Sequence, residues 1–176
     1  MPKFKIVNVV ATASLDQRLD LSMLGRFKEI SYDPKVYGGR VAYFKKPEMQ
    51  GRVSLFCSGK MIGVGTKNKQ RAFDELGSAM RFLANSQLVK KVKLFPKIVN
   101  MVVVADFEHK IIFEQLTEHD KVIYEPEQFP GAILEIEEPH KASVLIFATG
   151  KAVITGLKCE EQIDPTIKKI ESILAV

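Results

Sequence analysis

The sequence predicts an α+β protein built from two similar halves. The chain has 176 residues, of which 46% are hydrophobic and 27% charged, a balance typical of globular domains. Residues 5–8 read Lys-Ile-Val-Asn, and residues 97–100 repeat them. Within each half, Val- and Ile-rich segments alternate with segments of helical spacing, which favours a mixed order of strands and helices.

Composition and cysteine content exclude several classes of protein. No segment approaches the roughly 20 consecutive apolar residues of a membrane span. The N-terminal residues lack the apolar core and cleavage site of a signal peptide. Cys57 and Cys159 lie far apart and outside the spacing of paired metal ligands. We therefore expect buried free thiols, as in cytosolic or nuclear proteins, and no disulfide, zinc site or cofactor.

Charge is unevenly distributed along the chain. Residues 1–92 contain 17 Lys and Arg against 7 Asp and Glu, a net charge of +10. Residues 93–176 contain 9 against 14, a net charge of −5, which gives +5 for the whole chain. The asymmetry indicates either a polyanionic partner for the first half and another partner for the second, or ordinary drift in surface charge.

The repeat extends over almost the whole of each half. A shift of 92 residues, and of 91 near the end of each half, relates matched residues in one order. The pairs are Tyr32 and Tyr124, Pro34 and Pro126, Gly39 and Gly131, Phe56 and Phe147, and Lys60 and Lys151. We interpret the chain as a tandem duplication, with repeats at residues 1–92 and 93–176 and a joint near Gln87–Pro96.

Each half is predicted to contain about five strands. Phe4–Ala13 is rich in Val, Ile and Thr, which favours a strand. Asn8, Val10 and Thr12 share one face of it, because side chains alternate along a strand. Leu21–Glu29 follows as a short helix with apolar residues at helical spacing. Further strands are predicted at Val36–Lys45, Val53–Cys57 and Met61–Thr66, the last two joined by a hairpin at residues 58–60.

A longer helix is predicted to end each half. Asn68 is a candidate N-cap for a helix in which apolar residues recur every three or four positions up to Leu83. The second half ends in a helix near Cys159–Leu174, with Pro165 in the first turn because proline donates no backbone hydrogen bond. Two such sheets joined edge to edge would carry helices on one face and an open, unusually apolar face on the other, which marks a binding surface.

Enzyme motifs are nearly absent from the chain. His109, His119 and His140 show no metal-ligand spacing, and we expect them at the surface. The glycines of the first half complete neither a dinucleotide fingerprint nor a phosphate loop, so we assign them to a hairpin and its bulge. The acidic run at residues 135–138 is interpreted as a solvated edge. These observations favour a protein that is not an enzyme.

Aromatic residues beside turns recur in both halves. Tyr37 and Phe129 follow turns that contain proline, whereas Phe56 and Phe147 precede hairpins that carry Lys60 and Lys151. A single aromatic of this kind would be interpreted as a core residue. Symmetric pairs next to lysines instead suit a protein that unstacks base steps while it neutralises phosphates.

Five segments together resemble the TATA-box-binding protein family, and the resemblance covers essentially the whole chain. They are KIVNVV at residues 5–10, KIVNMV at 97–102, YEPEQFPG at 124–131, LIFATGK at 145–151 and VITGLK at 153–158. The resemblance implies a saddle: a curved ten-stranded antiparallel sheet of two repeats, with four helices on the convex face. Its concave face would grip the DNA minor groove, inserting apolar wedges and kinking the duplex by roughly 80°, as known for this family.

The resemblance also implies roles for individual residues. The asparagines would bond minor-groove acceptors and favour A·T over G·C, aliphatic side chains would contact base edges, aromatics would kink the duplex, and lysines would contact phosphates. This DNA-binding set is Asn8, Val10, Tyr37, Phe56, Lys60, Ile62, Val64, Asn100, Val102, Phe129, Leu145, Phe147, Lys151, Val153 and Thr155. Glu125, Glu127 and Gln128 would bind transcription factor B.

The first repeat departs from the family's pattern at several positions. Tyr37 stands where the family usually has Phe, Ser54 where it has Leu, and Val64 where it has Thr. The leading expectation is a transcription initiation factor of archaeal type that binds A·T-rich double-stranded promoter DNA and recruits transcription factor B and, indirectly, RNA polymerase. Its location would be the archaeal cytoplasm and nucleoid, or the nucleus of a eukaryote.

Other functions stay open at this point. A protein-interaction module with the same fold, or a divergent family member with altered DNA specificity, would account for the departures in the first repeat. An enzyme that shares the saddle fold ranks third, because no acid–base or metal set is present. A homodimer of the DNA-free chain is also open.

Overall fold

A computed structural model of the chain describes residues 2–116 and 121–174. Its strands form a ten-stranded antiparallel sheet, and the chain divides into two compact units. The N-terminal unit is Asn8–Val99, and the C-terminal unit is Met1–Val7 with Asn100–Val176. No helix among the described residues is long and apolar enough to cross a membrane.

The N-terminal half contains five strands in the order β2-β3-β4-β5-β1, followed by one long helix. The predicted hairpin between β4 and β5 is present at residues 57–59, one residue earlier than expected, and the strands pair antiparallel. The elements are β1 (Lys3–Ser14), β2 (Ile30–Ser31), β3 (Val41–Phe44), β4 (Arg52–Phe56), β5 (Lys60–Thr66) and α1 (Lys69–Asn85).

One face of this sheet is covered by α1. The predicted N-cap is confirmed, since Asn68 Oδ1 accepts a hydrogen bond from the Arg71 backbone N–H at 2.7 Å. A Cβ placed on Gly63 would lie 3.6 Å from the Leu76 side chain, so the helix packs closely on β5. Alternate strand residues on that face are fully buried, namely Val53, Leu55, Met61, Val9 and Ala11. The opposite face is therefore the one available for binding.

The predicted helix at Leu21–Glu29 is wrong in type. Only Leu21–Met23 is helical, as a single 3₁₀ turn that Asp20 caps. The hydrogen bonds continue at i+3 spacing, from the Phe27 N–H to the Leu24 carbonyl and from the Ile30 N–H to the Phe27 carbonyl, both at 3.1 Å. An apolar spacing of three residues is the period of 3₁₀ structure, which explains the difference.

The predicted strand at Val36–Lys45 is too long. Val36–Gly39 forms a 3₁₀ turn in which Tyr37 has φ 48° and ψ 33°, in the left-handed region, and only Val41–Phe44 is extended. Gly38 and Gly39 also have positive φ angles. Three consecutive left-handed residues end any strand before Val41, since extended backbone needs negative φ.

The C-terminal half repeats the order of strands as β6-β10-β9-β8-β7. Pro165 is the third residue of the final helix, in its first turn as predicted. Ile163, Ile167 and Ile170 of that helix are buried. The elements are β6 (Lys97–Asp106), α2 (Phe113–Leu116), β7 (Val122–Tyr124), β8 (Gly131–Ile136), β9 (Ala142–Phe147), β10 (Lys151–Leu157) and α3 (Ile163–Leu174).

Two details of the sequence prediction are wrong within the described residues. Instead of four helices, the structure contains two long ones, α1 and α3, and the single turn α2. Cys57 is exposed and Cys159 half-buried, although both are free as predicted. Cys57 lies in the turn that follows β4, where strand alternation no longer directs a side chain to the core. His109 is exposed and His140 half-buried, whereas His119 lies outside the described residues.

Candidate nucleic-acid interface

In the N-terminal unit, the predicted base-contacting residues lie on the sheet face opposite α1. Asn8, Val10, Ile62 and Val64 are half-buried and alternate with fully buried residues along β1 and β5. Strand pairing then fixes their neighbours across the sheet. Ile62 lies opposite both Thr12 and Ser54, and Ser54 lies opposite Tyr43. One row across four strands therefore reads Tyr43, Ser54, Ile62, Thr12.

The C-terminal unit places its predicted residues in the same alternation. Asn100, Val102, Leu145, Val153 and Thr155 are half-buried, and each lies between buried neighbours or next to one. Val153 lies opposite both Val104 and Leu145, and Leu145 lies opposite Ile133. The corresponding row therefore reads Ile133, Leu145, Val153, Val104, and all four side chains are aliphatic.

The two repeated asparagines are held in the same way. Asn8 Oδ1 accepts a hydrogen bond from the Gly65 N–H at 2.7 Å, and Asn100 Oδ1 accepts one from the Gly156 N–H at 2.8 Å. These bonds assign the amide orientation, since nitrogen and oxygen are distinguished by their partners. Neither Nδ2 donates to another described residue. Each unit thus presents a fixed amide donor on its open face.

An aromatic pair projects beside the open face of the C-terminal unit. The Phe129 and Phe147 ring centroids lie 5.9 Å apart with an interplanar angle of 58°. Phe129 is 38% exposed although it packs on Phe147. A Cβ on Gly131 would lie 2.8 Å from the Phe129 ring, so the glycine makes room for this arrangement. The rings are therefore positioned before any ligand binds.

In the N-terminal unit, the corresponding rings of Tyr37 and Phe56 do not pack on each other. Tyr37 is 74% exposed, and no ring contact joins it to Phe56 within the described part of the chain. A cavity of about 640 Å³ lies there instead, lined by Tyr37, Arg40, Val41, Tyr43, Ser54 and Phe56. The left-handed backbone at Tyr37 carries the ring away from the sheet, and the small Ser54 leaves space beneath it.

The two hairpin lysines are exposed at equivalent turns. Lys60 and Lys151 each begin a strand and each follow a glycine with φ +87°. A Cβ on Gly59 would clash with the Gln17 carbonyl oxygen, and one on Gly150 with the His109 carbonyl oxygen. Only glycine fits such a close approach with positive φ, so the turn fixes the backbone position of each lysine.

Glu125, Glu127 and Gln128 are exposed in an ordered turn. The Glu125 carbonyl accepts hydrogen bonds from the Gln128 N–H at 2.9 Å and from the Phe129 N–H at 3.0 Å. The same turn therefore carries the two carboxylates and positions the Phe129 ring. Neither carboxylate has an ion-pair partner among the described residues.

Comparison with known proteins decides the family. The family model described as Transcription factor TFIID (or TATA-binding protein, TBP) matches residues 3–86 and 95–176. The chain belongs to the TATA-box-binding protein family. It is 36% identical to the TATA-box-binding protein of Cenarchaeum symbiosum over 160 residues, which are 90% of this chain and 87% of that protein.

Further relatives confirm the resemblance and the fold class. The TATA-box-binding protein of Methanocaldococcus jannaschii is 34% identical over 173 residues, covering 96% of this chain and 92% of the relative. The solved structure named Methanococcus jannaschii TBP matches with a TM-score of 0.87 at 30% identity and covers 99% of both chains. The predicted TATA-box-binding fold is therefore confirmed.

Sequence reasoning missed several residues on these faces, among them Tyr43, Ile133 and Val104 of the two rows. Arg52 lies opposite Val64, with its guanidinium carbon 4.2 Å from the centre of the Tyr43 ring, which suits a cation–π contact. In the C-terminal unit, Glu135 lies opposite Ser143 and accepts its hydroxyl hydrogen bond at 2.7 Å. Period-two alternation from Ser54 and Leu145 would have identified Arg52 and Ser143, but their partners depend on strand register.

The side chains on the open faces are of kinds that bind other molecules. Among residues 2–116 and 121–174, no group of three or more His, Cys, Asp or Glu side chains could hold a metal ion. The TATA-box-binding family is one of DNA-binding transcription factors and not of enzymes. What the open faces offer is aliphatic surface, two amide donors, aromatic rings and flanking lysines.

Proposed function

We propose that the chain binds A·T-rich promoter DNA in the minor groove through the open face of its sheet. The observation that carries the proposal is the pair of amide donors on Asn8 and Asn100, each fixed by a backbone N–H. At A·T pairs the minor groove presents only acceptors, A N3 and T O2, which an Nδ2 donor complements. Aliphatic neighbours such as Val10 and Val102 leave no acceptor for the guanine amino group.

The aromatic pairs would kink the duplex. Phe129 and Phe147 would insert into a base step at one end of the site, and Tyr37 and Phe56 at the other. Unstacking a step costs a few kcal/mol, which a bent duplex offsets by contacting more protein surface. Lys60 and Lys151 would contact phosphates beside the wedges and supply affinity without specificity.

Energy transfer between dyes on the two ends of a duplex tests binding and bending together. We expect transfer to rise on an A·T-rich duplex and to stay low on a G·C-rich duplex of equal length. Asn100→Ala should reduce the preference for the A·T-rich duplex, whereas Lys151→Ala should weaken binding to both duplexes equally. Tight binding without bending would contradict the wedge assignment, and equal losses on both duplexes for both variants would contradict the amide assignment.

Recruitment of transcription factor B is the second part of the proposal. The support is the turn at Glu125–Gln128, whose carboxylates are exposed and unpaired within the described residues, in the acidic half of the chain. Exposed carboxylates can meet a basic partner surface while bound DNA lies on the sheet. RNA polymerase would follow through transcription factor B.

Charge reversal at the turn tests this recruitment. The double variant Glu125→Lys, Glu127→Lys should abolish the supershift with transcription factor B, whereas DNA binding should persist or tighten as negative charge is removed. Higher salt should weaken recruitment by the unmodified chain, because exposed charge contacts are screened. A matched control, Glu138→Lys with Glu160→Lys, changes the charge equally and should leave the supershift intact. An unchanged supershift in the first variant would overturn the assignment.

The same experiments separate the alternative functions. A chain that binds transcription factor B but no DNA would be a protein-interaction module. A chain that binds a different promoter sequence would be a divergent family member. The hydroxyl groups of Tyr37 and Ser54 favour this alternative over a protein-interaction module. Sedimentation of the DNA-free chain tests self-association through the apolar face.

A further inference from the structure

A basic niche lies at the edge of the N-terminal unit, where the segment between the repeats passes the β4–β5 hairpin. Its cavity is about 490 Å³ and is lined by Thr12, Ala13, Ser14, Ser58, Lys60, Phe95 and Lys97. We call it the linker niche. Its lining offers three hydroxyl groups, two ammonium groups and one aromatic ring, and it contains no carboxylate.

The cations and the ring of the linker niche are free to meet a ligand. Phe95 is 76% exposed, and the Lys93 ammonium lies 5.5 Å from the centre of its ring. Lys60, Lys93 and Lys97 have no ion-pair partner among the described residues. The nearby Asp16 carboxylate accepts the Ser14 hydroxyl hydrogen at 2.8 Å and does not line the cavity.

The linker niche continues the open face of the sheet. Thr12 lies opposite Ile62, and Ser14 lies opposite Lys60 on the same two strands. The step from Ile62 to Lys60 is two residues, or roughly 6.6 Å along a strand. The minor groove is about 6 Å wide, so on a strand that crosses the groove this step would lead from a base-edge contact to the sugar–phosphate backbone.

The linker, the segment between the repeats near residues 87–96, is held beside the β4–β5 hairpin by Gln17. Gln17 Nε2 donates to the Lys90 carbonyl at 2.8 Å, and Gln17 Oε1 accepts from the Lys90 N–H at 2.8 Å. Gln17 also lies against Gly59 of the hairpin. The loop after β1, the hairpin and the linker thus hold one another, which lowers the entropy cost of presenting Lys93 and Phe95 to a ligand.

The equivalent cavity of the C-terminal unit is smaller and contains acid. It measures about 260 Å³, and its lining includes Lys5, Lys151 and also Asp106, which stands where the first repeat has Ser14. Lys3 there is paired with Glu108 at 2.9 Å. A phosphate would meet a carboxylate in this cavity and none in the linker niche.

We propose that the linker niche binds a phosphate of the DNA strand just outside the base-edge contacts, with the adjacent nucleotide packed on Phe95. Lys60 and Lys97 neutralise the phosphate, the hydroxyl of Ser58 donates to one of its oxygens, and Lys93 extends the cationic surface. Aromatic rings beside cations are an established platform for nucleotides. The inference rests on the proposed DNA binding and adds a flanking site to it.

The test compares two duplexes with the same A·T-rich core, one ending at the core and one extended by random flanks. The double variant Lys93→Gln, Lys97→Gln should bind the extended duplex roughly 3- to 10-fold more weakly, and the slope of log affinity against log salt should fall by about 1 to 2. Binding to the core duplex should change much less. Phe95→Ser should expose one flanking nucleotide to hydroxyl-radical cleavage.

Lys168→Gln with Lys169→Gln on α3 is the charge-matched control and should leave the salt slope unchanged. If wild type binds and bends both duplexes but the linker-niche variants match it in slope and cleavage pattern, the flanking site is wrong and the proposed function stands. If wild type does not bind the core duplex, the proposed function fails first. An equal fall in slope for both double variants would show a general charge effect and overturn the site.

Discussion

The two units place different chemistry at the same row of the sheet. In the N-terminal unit the row Tyr43, Ser54, Ile62, Thr12 carries three hydroxyl groups, whereas the C-terminal row of Ile133, Leu145, Val153 and Val104 carries none. Guanine adds an amino donor to the minor groove, which a hydroxyl oxygen can accept and an aliphatic side chain cannot. The frame of the face is therefore the same in both units, while the hydrogen-bonding groups that it carries differ.

The two aromatic pairs that we propose to insert into DNA differ in how far they are ordered before DNA binds. Phe129 and Phe147 pack on each other, while Tyr37 stands apart from Phe56 over a cavity. A ring that is already packed pays less conformational entropy when it inserts into DNA than one that is ordered on binding. The C-terminal wedge should therefore contribute more to affinity.

The helices are also anchored differently. Glu75 of α1 is 4% exposed, and its carboxylate accepts hydrogen bonds from the Gln50 N–H at 2.7 Å, the Gly51 N–H at 3.1 Å and Arg71 Nε at 3.2 Å. The equivalent residue of α3, Thr166, donates its hydroxyl hydrogen to the Gln162 carbonyl, four residues earlier, at 2.8 Å. Glu75 thus ties α1 to the distant loop at residues 50–51, whereas Thr166 makes no such bond within the described part of the chain.

The largest expected effect is on stability, through Glu75. Glu75→Ala leaves two backbone N–H groups and the Arg71 guanidinium without this partner, which should cost about 3 kcal/mol of unfolding free energy. Thr166→Val removes one hydrogen bond within a helix and should cost about 1 kcal/mol or less. Urea unfolding followed by circular dichroism measures both. Equal losses would show that the loop contact adds nothing, and the contrast between the helices would disappear.

The next effect is on DNA affinity, through the wedges. Phe147→Ala should weaken binding to A·T-rich DNA roughly 30-fold, about 2 kcal/mol, and reduce end-to-end energy transfer, because the packed pair is lost. Tyr37→Ala should weaken it only about 5-fold, since ordering its free ring already offsets part of the gain. Fluorescence anisotropy at fixed salt gives both values. A larger loss for Tyr37→Ala would reverse the ranking of the two wedges.

Local and repeated signals made much of this structure predictable. The duplicated Lys-Ile-Val-Asn segments predicted that Asn8 and Asn100 occupy equivalent strand positions, and both have the same backbone partner at the equivalent glycine. The N-cap at Asn68 and the first-turn Pro165 followed from the backbone hydrogen bonds that each residue can make. The cap and the proline depend on residues within one or two turns of each other, and the asparagine positions depend on the repeat.

Features that depend on tertiary position were not predictable in the same way. The linker niche brings together residues near 12, 58 and 95, and no sequence pattern relates these positions. The Arg52–Tyr43 contact depends on the pairing of β3 with β4, which the sequence does not determine through the connecting loop. The open wedge at Tyr37 arises from its left-handed backbone, for which the following Gly38 and Gly39 were the only local signal.

The smallest effect is on specificity, through Ser54. Replacing single A·T pairs by G·C along a bound site typically costs about 1 to 3 kcal/mol each. Beneath the N-terminal unit we expect the lower end of this range, because the Ser54 and Tyr43 hydroxyls can accept the guanine amino hydrogen bond. Ser54→Leu should raise the cost there about tenfold in affinity, to match the C-terminal side.

To interpret these base-pair replacements, one must know which end of the DNA each unit covers, and Cys57 provides that information. This exposed thiol follows Phe56 in the chain, so in a Cys159→Ser background a cleavage reagent attached to it marks the end under the N-terminal unit. Leu145→Ser is the reciprocal variant and should lower the cost of G·C at the other end, since it introduces a hydroxyl into the aliphatic row. If both ends of the site already penalise G·C equally in the unmodified chain, the hydroxyl row has no part in specificity. In that case the space above Ser54 accommodates the Tyr37 ring when DNA is bound, and the difference between the two units is one of wedge geometry alone.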